Sequence, residues 1–290
     1  MSLTRRTFLW ASLLPFPALA ADALAELEAR AGGRLGVALL DTGSGRRWAH
    51  RGEERFALCS TFKLPLAGAV LHAIDQGHLR ADVRLPLRRD ERVPHMPATE
   101  AWLARGWATP LALAEAAQLT SDNLAANVLL RAVGGPEGFT RWLRAQGDPV
   151  TRIDRYEPEM NRVFPGDERD TSSPAAFADL VAHLGTGNAL KPPSRARLTA
   201  WMEATRTGQR RLRAGLPAGW RAGDKTGTGF NPDMPDRIND VAIFWPPRRK
   251  PWVLACFYEG PSKSTEWVRP QDEAVLAEVS RLAAAFAIAT

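Results

Sequence analysis

Lysine is scarce in this chain of 290 residues. It occurs only at 63, 191, 225, 250 and 263, and arginine carries the rest of the positive charge. That scarcity gives weight to the two lysines that fall inside short polar motifs, Lys63 and Lys225. Cysteine is scarcer still, with Cys59 and Cys256 alone. Two cysteines permit one disulfide in an exported protein. Here Cys59 adjoins a candidate nucleophile at a helix start and Cys256 sits inside a strand-like apolar run, so both are expected to stay unbridged. The five histidines are scattered, and together with the cysteines they show no metal-ligand spacing. No metal or other cofactor is therefore expected. The net charge of +6 is dispersed, apart from Arg210-Arg211 and Arg248-Arg249-Lys250. This gives no nucleic-acid footprint, although it suits a small anionic substrate. No apolar run reaches the roughly 20 residues that a membrane-spanning helix needs.

The first residues read as an address. Thr4-Arg5-Arg6-Thr7-Phe8-Leu9 is a twin-arginine pattern ahead of the apolar segment from Phe8 to Leu19, and Ala18-Leu19-Ala20 is a small-x-small cleavage site. Residues 1–20 are expected to be a twin-arginine-type export signal, leaving a periplasmic or secreted monomer with no membrane attachment. Such export carries proteins folded in the reducing cytoplasm, which again argues against a required disulfide.

Periodicity then divides the chain. A helix is expected over 23–31, stopped by Gly32-Gly33, followed by a strand over 34–41 and a return strand over 46–50. Apolar helices follow over 60–76, 111–119, 124–133 and 136–146. The charged stretch 148–170 has no clean period and reads as a long ordered loop, a kind that is usually functional. Helices over 174–184 and 194–205 precede strands over 220–227, 239–245 and 252–259, and a last helix runs 273–289. Strands at both ends and helices between them imply an α+β fold. Its five-stranded antiparallel sheet is flanked by terminal helices and formed by 21–59 and 206–290. An all-helical domain is inserted over 60–205, includes the 152–170 loop, and leaves a cleft between the two.

Ser60 and Lys63 stand three residues apart at the head of an apolar helix, on one face. A hydroxyl beside an amine is the minimum of an activated nucleophile. Alone the pair is weak, because a helix N-terminus with a solvent-facing lysine looks the same. Three further motifs follow in order: Ser121-Asp122-Asn123, Glu157-Pro158-Glu159-Met160-Asn161 and Lys225-Thr226-Gly227. The set resembles the class A serine β-lactamases over essentially the whole chain after residue 20.

The resemblance implies roles. Ser60 would attack the lactam carbonyl, and Lys63 would orient and activate it. Ser121 would pass a proton to the leaving nitrogen. Glu157 with Asn161 would hold and activate the water that hydrolyses the acyl-enzyme. Whether Lys63 or Glu157 takes the acylation proton stays open. Asn123 would bind the substrate's side-chain amide, and Lys225, Thr226, Gly227 and Thr228 its carboxylate edge. The backbone N–H groups of Ser60 and Thr228 would form the oxyanion hole. Many members bind the carboxylate with a later arginine, but that position here is Ile238, with Arg237 on the opposite strand face. Arg211 matches a second known placement. His95 would stand at the cleft mouth. Arg155 and Asp170 would brace the loop, with Asn127 steadying Glu157.

The expected function is hydrolysis of penicillins and cephalosporins. A D-Ala-D-Ala peptidase or a non-hydrolysing β-lactam sensor are the alternatives, and both should lack the Glu157–Asn161 pair. Broad-spectrum members with a cysteine before the nucleophile typically bridge it to one just after Lys-Thr-Gly-Thr. Here that site is Gly229, which speaks against carbapenem activity. Residues 230–237 are expected to form a long proline-rich turn at the cleft edge.

Overall fold

The computed structural model describes residues 16–264 and 267–289. The twin-arginine pattern at 4–9 lies outside the described residues. The helix expected from residue 23 runs Phe16–Ala31, through the expected cleavage site.

Five antiparallel strands form the main sheet. In spatial order they are Arg47–His50, Arg34–Asp41, Trp252–Glu259, Met234–Trp245 and Arg221–Asn231, the last lying at an edge. Alternation along each strand feeds two cores. Val253, Ala255 and Phe257 face the helical block with Val241 and Ile243. Trp252, Leu254, Cys256 and Tyr258 face the other way, onto Leu24 and Leu27 of the first helix and Leu276, Val279 and Phe286 of the last, Pro270–Ala289. Because helices cover both faces, the strand over 252–259 is buried almost throughout and reads as an unbroken apolar run.

The helical block packs around Lys63–Asp75, whose first nine residues are all buried. Pro65 sits in its first turn, where a missing N–H costs nothing. Around it stand Pro110–Leu119, Asn123–Ala132, Gly135–Ala145, Pro174–Thr186 and Pro192–Glu203. Two short ladders carry too few residues to show a period. Leu85–Pro86 pairs with Trp107–Ala108 inside the helical stretch, and Phe56–Ala57 pairs with Thr171–Ser172 to tie the base of the long loop to the chain entering the site.

The expected long turn over 230–237 is instead a tight hairpin. The ladder continues past a register shift between Gly229 and Asn231 to an Asn231–Met234 pair, leaving Pro232 and Asp233 at the tip. The proline is tolerated because it stands outside the ladder.

Gly36 is where the sheet lets Phe56 close over it: a Cβ there would lie 2.3 Å from the Phe56 ring. The ring stacks on Phe257 and carries the Arg34 guanidinium 3.8 Å from its centroid. Gly36→Ala is therefore expected to lose roughly 1–3 kcal/mol through overpacking. Urea unfolding measures it, and an unchanged midpoint would mean the ring moves aside freely.

Candidate active site

Ser60 sits on a 3₁₀ turn, Cys59–Phe62, that leads directly into the central helix. The turn is bound to the sheet. Asn239 Nδ2 donates to the carbonyls of Ala57 (2.8 Å) and Leu58 (3.3 Å), and Thr61 Oγ1 closes on Leu58 O at 2.7 Å. Gly227 passes so close that a Cβ would lie 2.8 Å from Leu58 O. Cys59 takes a left-handed φ of 46°, a conformation that costs a non-glycine residue on the order of 1 kcal/mol or more and persists only where its surroundings fix it.

One turn on, the fully buried Lys63 Nζ meets acceptors from three separate segments. It donates to Ser60 Oγ at 2.8 Å, Ser121 O at 2.8 Å and Asn123 Oδ1 at 2.5 Å, and lies 3.0 Å from Glu157 Oε1. Burial lowers the Lys63 pKa below that of a free lysine and outweighs the opposing pull of Glu157. Ser60 Oγ is 3.4 Å from Glu157 Oε1, so the hydroxyl lies between amine and carboxylate, nearer the amine.

The Ser121-Asp122-Asn123 segment is pinned by Asp122, the N-cap of Asn123–Ala132. Its Oδ1 accepts from Ala125 N at 2.9 Å, and its Oδ2 from Ala98 N and Thr99 N at 3.0 and 2.8 Å. Ser121 takes a φ of 62° and directs its hydroxyl between the two lysines, 3.4 Å from Lys63 Nζ and 3.1 Å from Lys225 Nζ. Asn123 is more committed than the sequence implied, since its Nδ2 already donates to Pro94 O at 2.8 Å. The exposed His95 lines the cleft, with its ring Nε2 2.9 Å from Thr120 O.

Glu157 comes from the long loop and is held on both sides. Asn127 clasps its backbone through Nδ2 to Glu157 O (2.8 Å) and Oδ1 from Glu157 N (2.9 Å). Asn161, on the 3₁₀ turn Glu159–Asn161, donates Nδ2 to Glu157 Oε2 at 2.6 Å. The Glu157–Pro158 peptide is cis. At the loop ends Arg155 Nε meets Asp170 Oδ2 at 2.5 Å, and Asp170 Oδ1 accepts from Asp154 N and Arg155 N at 2.8 and 3.1 Å. Burial still pushes the Asp170 carboxyl above its usual range.

The opposite wall is the edge strand. Thr226 and Thr228 line a cleft of about 1120 Å³ together with Ser60, Ser121 and Arg211. Lys225 sits behind this wall, fully buried, with Nζ donating to Thr226 O at 2.8 Å and to Ser121 Oγ. Burial, with the nearby Lys63 charge second, drives its pKa well below the ordinary 10.5. Arg211 is aimed by the carbonyls of Gly227 (3.0 Å) and Asn239 (2.8 Å) and donates to Thr228 Oγ1 at 2.8 Å. Ile238 lies in the terminal-helix core, away from the cleft. The Cys59 thiol lies where a Gly229 Cβ would come within 2.9 Å of it, and burial pushes its pKa up to about 12. Both cysteines are free.

Three participants were not read from the sequence. Glu273 reaches Arg210 at 2.5 Å and Arg211 at 3.4 Å, Thr207 Oγ1 meets Thr226 Oγ1 at 2.6 Å, and Arg237 packs under the loop. Glu273 carried only the ordinary signal of an acid in a helix's first turn. The assembly as a whole is a nucleophile between a buried amine and a carboxylate, a second hydroxyl bridging two lysines, and a cationic wall, which suits acyl transfer from an anionic substrate to Ser60. Among the described residues no group of three or more His, Cys, Asp or Glu could hold a metal ion.

A family model described as the β-lactamase enzyme family matches residues 19–287. The chain is 45% identical over 267 residues to β-lactamase AST-1 of Nocardia asteroides, covering 91% of this chain and 83% of that protein. It is 43% identical over 265 residues to the carbapenem-hydrolysing β-lactamase KPC of Klebsiella oxytoca, covering 91% and 88%. A crystal structure of a β-lactamase from Xanthomonas campestris superposes with a TM-score of 0.87 at 42% identity, covering 93% of this chain and 98% of that one. An ancestral class A β-lactamase gives a TM-score of 0.85 at 49% identity, covering 92% and 99%.

The Asp170 clasp is the loop's chief electrostatic tie. Asp170→Asn keeps the shape and loses the charge opposite Arg155, with an expected cost of up to about 3 kcal/mol. Thermal melting gives the loss, and limited proteolysis should cut within 152–170. A variant as resistant as its parent would show that the backbone contacts suffice.

Proposed function

This chain belongs to the β-lactamase enzyme family, in its class A branch, and from that premise we propose that it hydrolyses β-lactam antibiotics through an acyl-enzyme on Ser60. The observation that carries the reading is the four-way contact at Lys63, which joins nucleophile, proton relay and water base in one buried cluster.

Burial lowers the Lys63 pKa, so Nζ, 2.8 Å from the Ser60 hydroxyl, can give up a proton to solvent and stand as an amine. That amine then takes the hydroxyl proton as Ser60 Oγ attacks the lactam carbonyl. Ser121, within reach of both lysines, delivers a proton to the departing nitrogen. The backbone N–H groups of Ser60 and Thr228 receive the oxyanion. Lys225, Thr226, Gly227, Thr228 and Arg211 form the carboxylate side of the cleft, with Asn123 and His95 on the side-chain end. For deacylation, Glu157 is the base and Asn161 the second anchor. Asn161 Oδ1 is buried without a protein donor beside the carboxylate, which suits a water shared by the two.

Penicillins and cephalosporins are the proposed substrates, with carbapenems poor ones because Gly229 leaves Cys59 unbridged. Export by a twin-arginine signal at 1–20, and action as a periplasmic or secreted monomer, complete the proposal. No helix among the described residues is long and apolar enough to cross a membrane.

Steady nitrocefin turnover is the expected result, against the single stoichiometric burst of a sensor or peptidase. Glu157→Gln should still label Ser60 but release product at least roughly 100-fold more slowly. A variant with unimpaired turnover would remove Glu157 from its role. In the same assay a carbapenem kcat/KM equal to that of benzylpenicillin would overturn the substrate range.

The depressed Lys225 pKa sets a pH limit. Its ammonium is lost as pH rises through a value below 10.5, so affinity for the anionic substrate should fall on the alkaline side before an ordinary lysine would titrate. Lys225→Arg, which stays charged, should move that limb of the kcat/KM profile upward. An unmoved limb would assign it to another group.

A further inference from the structure

Arg237 belongs to the strand Met234–Trp245, on the face opposite Ile238. Only 5% exposed, it spends its guanidinium on the long loop. Nη1 donates to Asn161 O at 2.9 Å and Nη2 to Val163 O, while Met234 Sδ lies 3.6 Å from Nη2. Its nearest carboxylate, Glu259, is 3.8 Å from Nε. The carbonyl between those two, Arg162 O, accepts from Arg155 Nη1 at 3.0 Å. Three consecutive loop carbonyls are therefore held by two arginines, the outer two by Arg237 of the sheet and the middle one by Arg155 from within the loop. Val163 completes the contact in a small cluster with Ala57 and Cys59, directly under the Ser60 turn.

Resting on the hydrolase reading above, we propose that Arg237 is a positioning residue for deacylation: a sheet-to-loop strap that fixes the Asn161 carbonyl, and through the Asn161 side chain the orientation of the Glu157 carboxylate. The Arg237 Cβ and Cδ lie 3.8 Å from where a Gly229 Cβ would stand, beside Cys59, and its guanidinium ties the loop to the sheet through hydrogen bonds to carbonyls. The strap does not touch the Lys63–Ser60 contact, which joins the first residue of the central helix to the turn before it, a turn tethered by Asn239. Loss of the strap should therefore act on the second half of the reaction and spare the first.

The experiment separates the two halves with benzylpenicillin. Rapid quench and intact-mass detection of the Ser60 adduct give the decay of the acyl-enzyme, and kcat/KM reports acylation. In Arg237→Ala, decay is expected to slow roughly 10- to 100-fold, the effect of misplacing a reacting group by about 1 Å, with kcat/KM within about threefold of the parent. Arg237→Lys, which reaches one carbonyl at a time, should decay at an intermediate rate. A purely structural arginine would lower the melting temperature and slow both halves alike, and that result overturns the proposal, as does decay at the parent rate. If Arg237→Ala does not fold, Arg237→Lys decides: selective slowing of decay supports the strap, and parental decay overturns it. A parent enzyme that forms no Ser60 adduct would sink the hydrolase reading and the strap with it, whereas a parent adduct with undisturbed decay in the variants would sink the strap alone.

Discussion

A fully buried ammonium is the constraint on which the site depends. Taking the Lys63 charge out of water costs several kcal/mol unless its N–H groups and charge are answered inside the protein. The answers come from Ser60 on its own turn, from Ser121 and Asn123 at a helix start, and from Glu157 on the loop. Each supplier has its own tether: Asn239 for the turn, Asp122 for the helix start, Asn127 for the loop. Folding that satisfies the lysine therefore also assembles the reacting groups, and stability and preorganisation come from the same contacts.

The loop is the least self-sufficient of these parts. Between Asp148 and Asp170 its only regular element is one 3₁₀ turn, and its shape rests on polar ties made at three places. Asp170 and Arg155 clasp the ends, Asn127 holds the middle, and Arg237 anchors the far side to the sheet. These ties meet near Glu157 and Asn161. The edge-strand wall is differently built. Arg211 and Lys225 are each lodged on backbone carbonyls, Gly227 and Asn239 for one and Thr226 for the other. The polypeptide dipoles, not side chains alone, hold that positive charge in place.

Much of this was legible before any coordinates. The strands over 34–41 and 252–259 declared themselves because one is bounded by glycine turns and the other is apolar on both faces. The four motifs carried the chemistry, and the resemblance they support pointed to Asn127, Arg155, Asp170 and Arg211 at positions that the structure brings to the site. What escaped did so for physical reasons. Pro232 and Asp233 read as part of a long turn because local propensity cannot show a ladder resuming across a register shift. Asn123's second contact depends on Pro94, which sequence distance does not connect to it. Arg237 looked like a misplaced carboxylate binder, because its worth depends on loop carbonyls some 76 residues away. An arginine that answers backbone oxygens leaves no motif.

The edge strand Arg221–Asn231 has one more consequence. An open sheet edge offers backbone groups to any passing strand, a standing risk of self-association. Here alternate outward carbonyls are already taken by side chains of the same molecule: Asp224 O by Gln118 Nε2 at 2.8 Å and Thr226 O by Lys225 Nζ at 2.8 Å. The next residue in phase, Thr228, lines the cleft. Two outward carbonyls of the edge are thus taken, and the stretch just beyond them opens on the cleft. Protection against strand pairing and the lining of the cleft are therefore carried by adjoining residues of one strand.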